Sequence, residues 1–192
     1  MSLEARFPVW KQPFAFGINR YGISSYVESE LRVGSAFRIL DALSLGGTLN
    51  IYSVSLKNYG HSSAFGFTFS AVYEIFKNVK GAFSVENLNE PKLGQAGESI
   101  PTSAALGFSY SPQKNVEVLV ELVKEEAYDF DFRSGLVLKP LSWTVLRFGF
   151  KTIVKSYSVG FSINFGQFDL GYAFEYHTAL GGSNSIGMGY VF

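Results

Sequence analysis

The sequence has no cysteine, only two histidines and six prolines, and little charge: Asp, Glu, Lys and Arg make up 17% of its 192 residues. Without cysteine there is no disulfide, no thiolate metal site and no cysteine nucleophile. The redox compartment stays open, since such a chain suits oxidising and reducing surroundings alike. Lys+Arg and Asp+Glu number 16 each, so the formal net charge is zero. No basic run breaks that balance, which excludes nucleic-acid binding through a positive field. No stretch of 18 consecutive apolar residues exists, so no transmembrane helix is expected. The opening MSLEARFPVWKQPF lacks a charged region followed by an apolar one and does not read as a secretory signal.

What the chain does have is aromatic: 19 Phe, 11 Tyr and 2 Trp, alongside 20 Gly and 47% hydrophobic residues. That content excludes disorder. Its arrangement has period two. In 184–192, Ile186, Met188, Tyr190 and Phe192 alternate with Ser185, Gly187 and Gly189. In 168–177, Phe168, Leu170, Tyr172, Phe174 and Tyr176 alternate with Asp169, Gly171, Ala173 and Glu175. In 157–165, Tyr157, Val159, Phe161, Ile163 and Phe165 alternate with Ser158, Gly160, Ser162 and Asn164. Side chains leave a strand on opposite faces in turn, so each segment has one bulky apolar face and one small or polar face.

The same pattern places strands near 11–19, 26–39, 43–56, 63–76, 79–88, 101–111, 115–123, 129–139, 143–152, 156–165, 168–177 and 184–192. Tight connections near 40–42, 77–78, 112–114, 140–142 and 166–167 alternate with mostly longer ones near 20–25, 57–62, 89–100, 124–128, 153–155 and 178–183. Short at one end and long at the other marks an up-and-down antiparallel barrel of the outer-membrane kind. The expectation is one all-β domain over 1–192, a transmembrane β-barrel of about twelve strands, each about ten residues long, enough to cross a bilayer when tilted.

The orientation of the faces separates this from a soluble barrel, whose bulky residues fill the interior. The small face carries Gly, Ser and Ala with almost no Lys, whereas a water-facing surface is about 25–35% charged. It suits a narrow lumen, and the Phe- and Tyr-rich face suits lipid. Glu117, Glu121, Asp131, Arg133, Arg147 and Lys151 share the parity opposite to Val118, Val120, Phe132, Leu146, Phe148 and Phe150. They are therefore expected in the lumen. Two readings stand: a salt-bridge network filling the interior, since buried charges must be paired, or a polar pathway for a solute.

Other chemistry is thin. His61 and His177 fall at or beside the longer connections with no carboxylate at ligand spacing, so they read as solvated loop residues. The acidic stretch Glu125, Glu126, Asp129 and Asp131 lacks the turn glycine of an EF-hand. Gly46-Gly47 and Gly181-Gly182 precede no helix and are not phosphate loops. No metal, cofactor or catalytic residue is expected. Trp143 and Tyr110 stand at the short-turn end, where an interfacial aromatic belt would lie.

Two features carry a family resemblance. The alternating Ile186, Met188, Tyr190 and Phe192 resemble the C-terminal targeting strand of bacterial outer-membrane barrels. Asn87-Leu88, Ile100-Pro101, Arg147-x-Gly149 and Leu180-Gly181 lie in segments that resemble the PorV/PorQ family, relatives of the FadL-type barrels. The resemblance spans roughly 26–192. It implies an outer-membrane barrel linked to type IX secretion: a non-enzymatic scaffold whose partners are the lipid bilayer, the barrel-assembly machinery and secreted proteins or secretion components. Family members are longer, carry a signal peptide and usually have fourteen strands, so an N-terminally truncated barrel is expected. The alternative function is a FadL-like passive channel for small or hydrophobic solutes, lined by Glu117, Glu121, Arg133 and Arg147. A membrane-embedded lipid hydrolase would need a Ser–His pair. A soluble ligand-binding barrel would need the apolar face inward.

Overall fold

Alternation of bulky and small residues, with Asn, Asp, Gly and Pro confined to the turns, leaves the backbone one economical solution: long strands paired to their sequence neighbours. The computed structural model describes residues 2–9, 12–58, 60–94 and 97–191. Fifteen strands run in chain order: β1 Ser2–Val9, β2 Gln12–Ile23, β3 Tyr26–Leu40, β4 Leu43–Leu56, β5 Gly60–Phe76, β6 Val79–Glu86, β7 Lys92–Leu93, β8 Glu98–Ser99, β9 Ser103–Gln113, β10 Val116–Glu125, β11 Asp131–Leu141, β12 Thr144–Lys151, β13 Ser156–Phe165, β14 Phe168–His177 and β15 Gly181–Tyr190. Thirteen of them form one sheet in strict sequence order, and β7 with β8 forms a separate two-stranded hairpin. Every pairing with a resolved register is antiparallel. No described residue is helical.

The up-and-down all-β order is the expected one, with two differences. A strand precedes the first one expected, because β1 pairs with β2 from Ser2↔Asn19 to Val9↔Gln12. The connection expected over 20–25 is strand instead: β2 continues to Ile23, and only Ser24 and Ser25 turn the chain. At the opposite end the connections 41–42, 77–78, 114–115, 142–143 and 166–167 are all tight, and the longest connection of all is 87–102.

The chain divides into two units, Met1–Glu74 with Ala82–Ala105 and Glu125–Tyr128, and Ile75–Gly81 with Leu106–Lys124 and Asp129–Phe192. In the first, the registers put Asn19, Glu30, Tyr52 and Ala64 in one cross-strand row and Gly17, Arg32, Asn50 and Gly66 in the next. Phe65, Phe67 and Phe69 take the opposite parity. Along β4 and β5 the polar face is the shielded one: Asn50 is 4% exposed and Ala64 6%, whereas Phe65 is 55% and Phe67 52% exposed. A soluble barrel requires the reverse. The small residues of that face have a packing reason. An added Cβ would meet Thr48 Oγ1 at 2.6 Å from Gly34 and Ser70 Oγ at 2.6 Å from Gly46. Each of these glycines stands directly opposite the hydroxyl residue that fills its space.

The second unit repeats the design. Its apolar face stacks rings between register partners: Phe150 with Tyr157 at 5.1 Å, Phe161 with Tyr172 at 5.7 Å and Phe168 with Tyr190 at 5.1 Å between centroids. Such cross-strand aromatic pairs fix register. Trp143 and Tyr110 are half exposed beside tight turns.

Candidate functional site

The site grows from β3. Its alternate residues Glu28, Glu30, Arg32, Gly34 and Ala36 all project onto the polar face, and three cavities follow them in order. The first, about 340 Å³, is lined by Glu28 and Glu30 with Tyr21, Tyr52, Leu93 and Ile100. The second, about 170 Å³, is lined by Arg32 and Gly34 with Glu4, Arg6 and Gly17. The third, about 510 Å³, is lined by Gly34 and Ala36 with Arg6, Ala15, Gly46 and Ser70. The second and third share Arg6, Ala15, Gly34 and Thr48, so they are parts of one groove. Between the first and second stands a polar bar: Arg32 Nη2 donates to Glu30 Oε2 at 2.6 Å, and Asn19 Nδ2 donates to the same oxygen at 3.2 Å.

The first cavity is covered by the 87–102 connection. Asn87, 5% exposed and at a positive φ of 56°, ties both ends of that connection down. Tyr52 Oη donates to Asn87 Oδ1 at 2.9 Å, Asn87 Nδ2 donates to the Pro101 carbonyl at 3.0 Å, and Thr102 Oγ1 donates to the Asn87 carbonyl at 3.0 Å. β5 is 17 residues long and β6 only eight. The backbone that β5 leaves over is satisfied by the connection itself: Phe67 N–H donates to Asn89 Oδ1 at 2.9 Å, and Asn89 Nδ2 donates to the Phe65 carbonyl at 2.7 Å. Gly94 N–H donates to Ser62 Oγ at 2.8 Å. The β7–β8 hairpin then brings Leu93 and Ile100 over the cavity.

The charges expected in the lumen lie in the second unit. Register places Glu117, Glu121, Asp131, Arg133, Arg147 and Lys151 on one face, as their parity required. Arg133 joins Asp131 at 2.7 Å and Glu121 at 3.6 Å. Asp131 Oδ1 also accepts from the Thr152 and Ile153 amides at 3.1 and 2.9 Å and from Thr152 Oγ1 at 3.0 Å, pinning the β11 start to the 152–155 turn. Lys151 bonds Glu175 at 2.9 Å, a partner not anticipated, and Arg147 donates to Ser162 Oγ at 2.9 Å. Glu117 stands on the same face opposite Val137. Arg147 also lines a cavity of about 430 Å³ together with Gly160, Asp169 and Gly171.

Of the C-terminal strand, Ile186, Met188 and Tyr190 project from β15 on the apolar face opposite Tyr172, Leu170 and Phe168. Phe192 lies outside the described residues. His61 is the second residue of β5 and shares the parity of Phe65. His177 Nδ1 accepts from the Ala179 and Leu180 amides at 3.2 and 3.3 Å. Ser156 pairs with His177 across β13 and β14, but its hydroxyl donates to Glu175 Oε1 at 2.8 Å, so no Ser–His hydrogen bond of the hydrolase kind forms there. No cluster of three metal-ligating side chains occurs among the described residues.

Glu30, Arg32, Asn19 and Tyr52 belong to no sequence motif, and Asn87 enters the sequence reading only through the Asn87-Leu88 pair. The first two carried a readable signal, since they share the parity of Gly34 and Ala36 in one alternating strand.

No protein-family model matches the sequence, and no curated protein matches it. Solved structures do. The Ralstonia pickettii toluene transporter TbuX is 10% identical over 97% of this chain and 79% of its own, with a TM-score of 0.75. The CymD monoaromatic hydrocarbon channel is 13% identical over 100% of this chain and 82% of its own, at 0.69. A Pseudomonas aeruginosa FadL homologue is 11% identical over 98% and 74%, at 0.64. The chain has the FadL-type β-barrel fold.

Proposed function

We propose that this chain is a bacterial outer-membrane β-barrel that passes small hydrophobic solutes, a FadL-type channel without enzymatic activity. The observation that carries this reading is the row of cavities along β3 on the polar face, behind a sheet whose other face carries exposed phenylalanine, tyrosine and leucine. The fold neighbours support it, being a toluene transporter and a monoaromatic hydrocarbon channel by name. The secretion scaffold implied by the PorV/PorQ resemblance is the finer competing role. It requires no path through the polar face, and the neighbours do not favour it.

Uptake separates the two. Bacterial cells carrying the chain in their outer membrane should take up radiolabelled toluene several-fold faster than cells without it. Ala15 lines both the second and third cavities and is exposed, so Ala15→Trp fills the groove with little strain on the sheet. It should return uptake to the background rate. Uptake at background with the unaltered chain, properly inserted, would leave the scaffold role standing in its place.

A further inference from the structure

The first cavity is uneven in charge. Its lining includes two carboxylates, Glu28 and Glu30, and neither lysine nor arginine. Glu30 is neutralised by Arg32 at 2.6 Å. Glu28 accepts a hydrogen bond from the Tyr26 hydroxyl, a neutral donor, and no cation pairs with it among the described residues. Tyr21 and Val54 are the register partners of Glu28 on either side, and both line the same cavity. Leu93 and Ile100 line it from the covering connection. The cavity is therefore an open recess of mixed lining, with Tyr21, Tyr52, Val54, Leu93 and Ile100 as its apolar part and Glu28 as a negative charge without a paired cation. Its volume falls within the roughly 300–1,000 Å³ range of small-molecule pockets.

We infer that this cavity selects solutes by charge, taking a small apolar body that ends in a protonated amine over the neutral molecule of the same shape, and disfavouring the carboxylate. The ammonium would donate to Glu28 while the Tyr21 ring faces the cation, an interaction rings provide without adding charge. The carboxylate would be brought against Glu28 with no cation in the lining to meet it. This rests on the channel reading above and names the class of molecule its first cavity holds.

Benzylamine, benzyl alcohol and benzoate share one ring and differ at the polar end. Their equilibrium binding to the folded full chain in detergent micelles at neutral pH, followed by ligand-observed NMR, tests the order. Benzylamine should bind about three- to fivefold tighter than benzyl alcohol, the range of an exposed charged pair, with benzoate weakest. Glu28→Gln keeps the shape and removes the charge. It should make amine and alcohol equal while leaving the alcohol's affinity unchanged. Equal binding of amine and alcohol to the unaltered chain would overturn the inference, as would an amine preference that survives Glu28→Gln or the binding of none of the three. Toluene uptake is scored separately. Its absence alongside an intact amine preference would remove the channel reading and keep this cavity's selectivity.

Discussion

Replacing Phe69 by arginine should destabilise the bilayer-inserted chain by about 2–4 kcal/mol, the cost of a cation on the lipid face near the membrane midplane. Phe69 lies near the middle of β5, on the same face as Phe65 and Phe67, and is 39% exposed. Ile75 lies on that same face near the end of the strand, beside the tight 77–78 turn, and is 38% exposed. Ile75→Arg should cost only about 0–1 kcal/mol, because the penalty fades toward the interface. Reversible denaturant titration of the protein folded into lipid vesicles measures both. In water, an exposed apolar residue exchanged for arginine changes stability by about 0.5 kcal/mol or less. Equal, small effects at Phe69 and Ile75 would therefore place the aromatic face in water.

The second large effect is expected at Gly66. An added Cβ there would stand 2.3 Å from Asn87 Oδ1 and 2.9 Å from Tyr52 Cε2. Asn87 is buried and bonded at three points, so it cannot yield without releasing the connection it ties. Gly66→Ala should destabilise the chain by about 1–3 kcal/mol, as overpacking does. It should also strip hydrogen-exchange protection from residues 87–102 ahead of the strands. Gly47→Ala is the control, since nothing lies within 4 Å of a Cβ added there. If Gly66→Ala keeps protection in 87–102 at the level of Gly47→Ala, the Tyr52–Asn87 tie is not what holds the cover over the first cavity.

Period-two alternation carries most of the fold because a strand commits every second residue to one environment. The strands from 26 to 56 and from 156 to 177 were legible to within a residue or so for that reason. The same parity put six charges on one face before any register was known. The first strand escapes the sequence pattern because Pro8 interrupts a short alternation of Leu3, Ala5 and Phe7; proline is tolerated on a terminal strand of the sheet order and near strand ends, as at Pro13 and Pro112. β2 runs past its expected end at Asn19: residues 20–23 stay paired to β3, and Gly22 keeps its place in the ladder at a φ of 137°.

The cover over the first cavity was the least legible part. Its order comes from Asn87, Asn89, Thr102 and Ser62 bonding backbone far away in sequence, and its hairpin strands have two residues each. Neither produces a period. Asn87-Leu88 and Ile100-Pro101, noticed as family-like motifs, are the two ends of this tie, which gives them a structural reason independent of secretion.

The direction of the two faces is most directly read by spin labels, and the absence of cysteine allows single labels without further change. Cysteine is introduced in turn at Phe65, Phe67 and Phe69, and at Thr68 and Ser70, in the vesicle-inserted chain. Collision with oxygen, which concentrates in hydrocarbon, should be high at the three phenylalanine positions and low at Thr68 and Ser70. Collision with a water-soluble nickel chelate should not exceed it at any of the three. Frequent nickel collisions at 65, 67 and 69, or no alternation at all, would contradict the orientation on which the membrane, the groove and the channel depend.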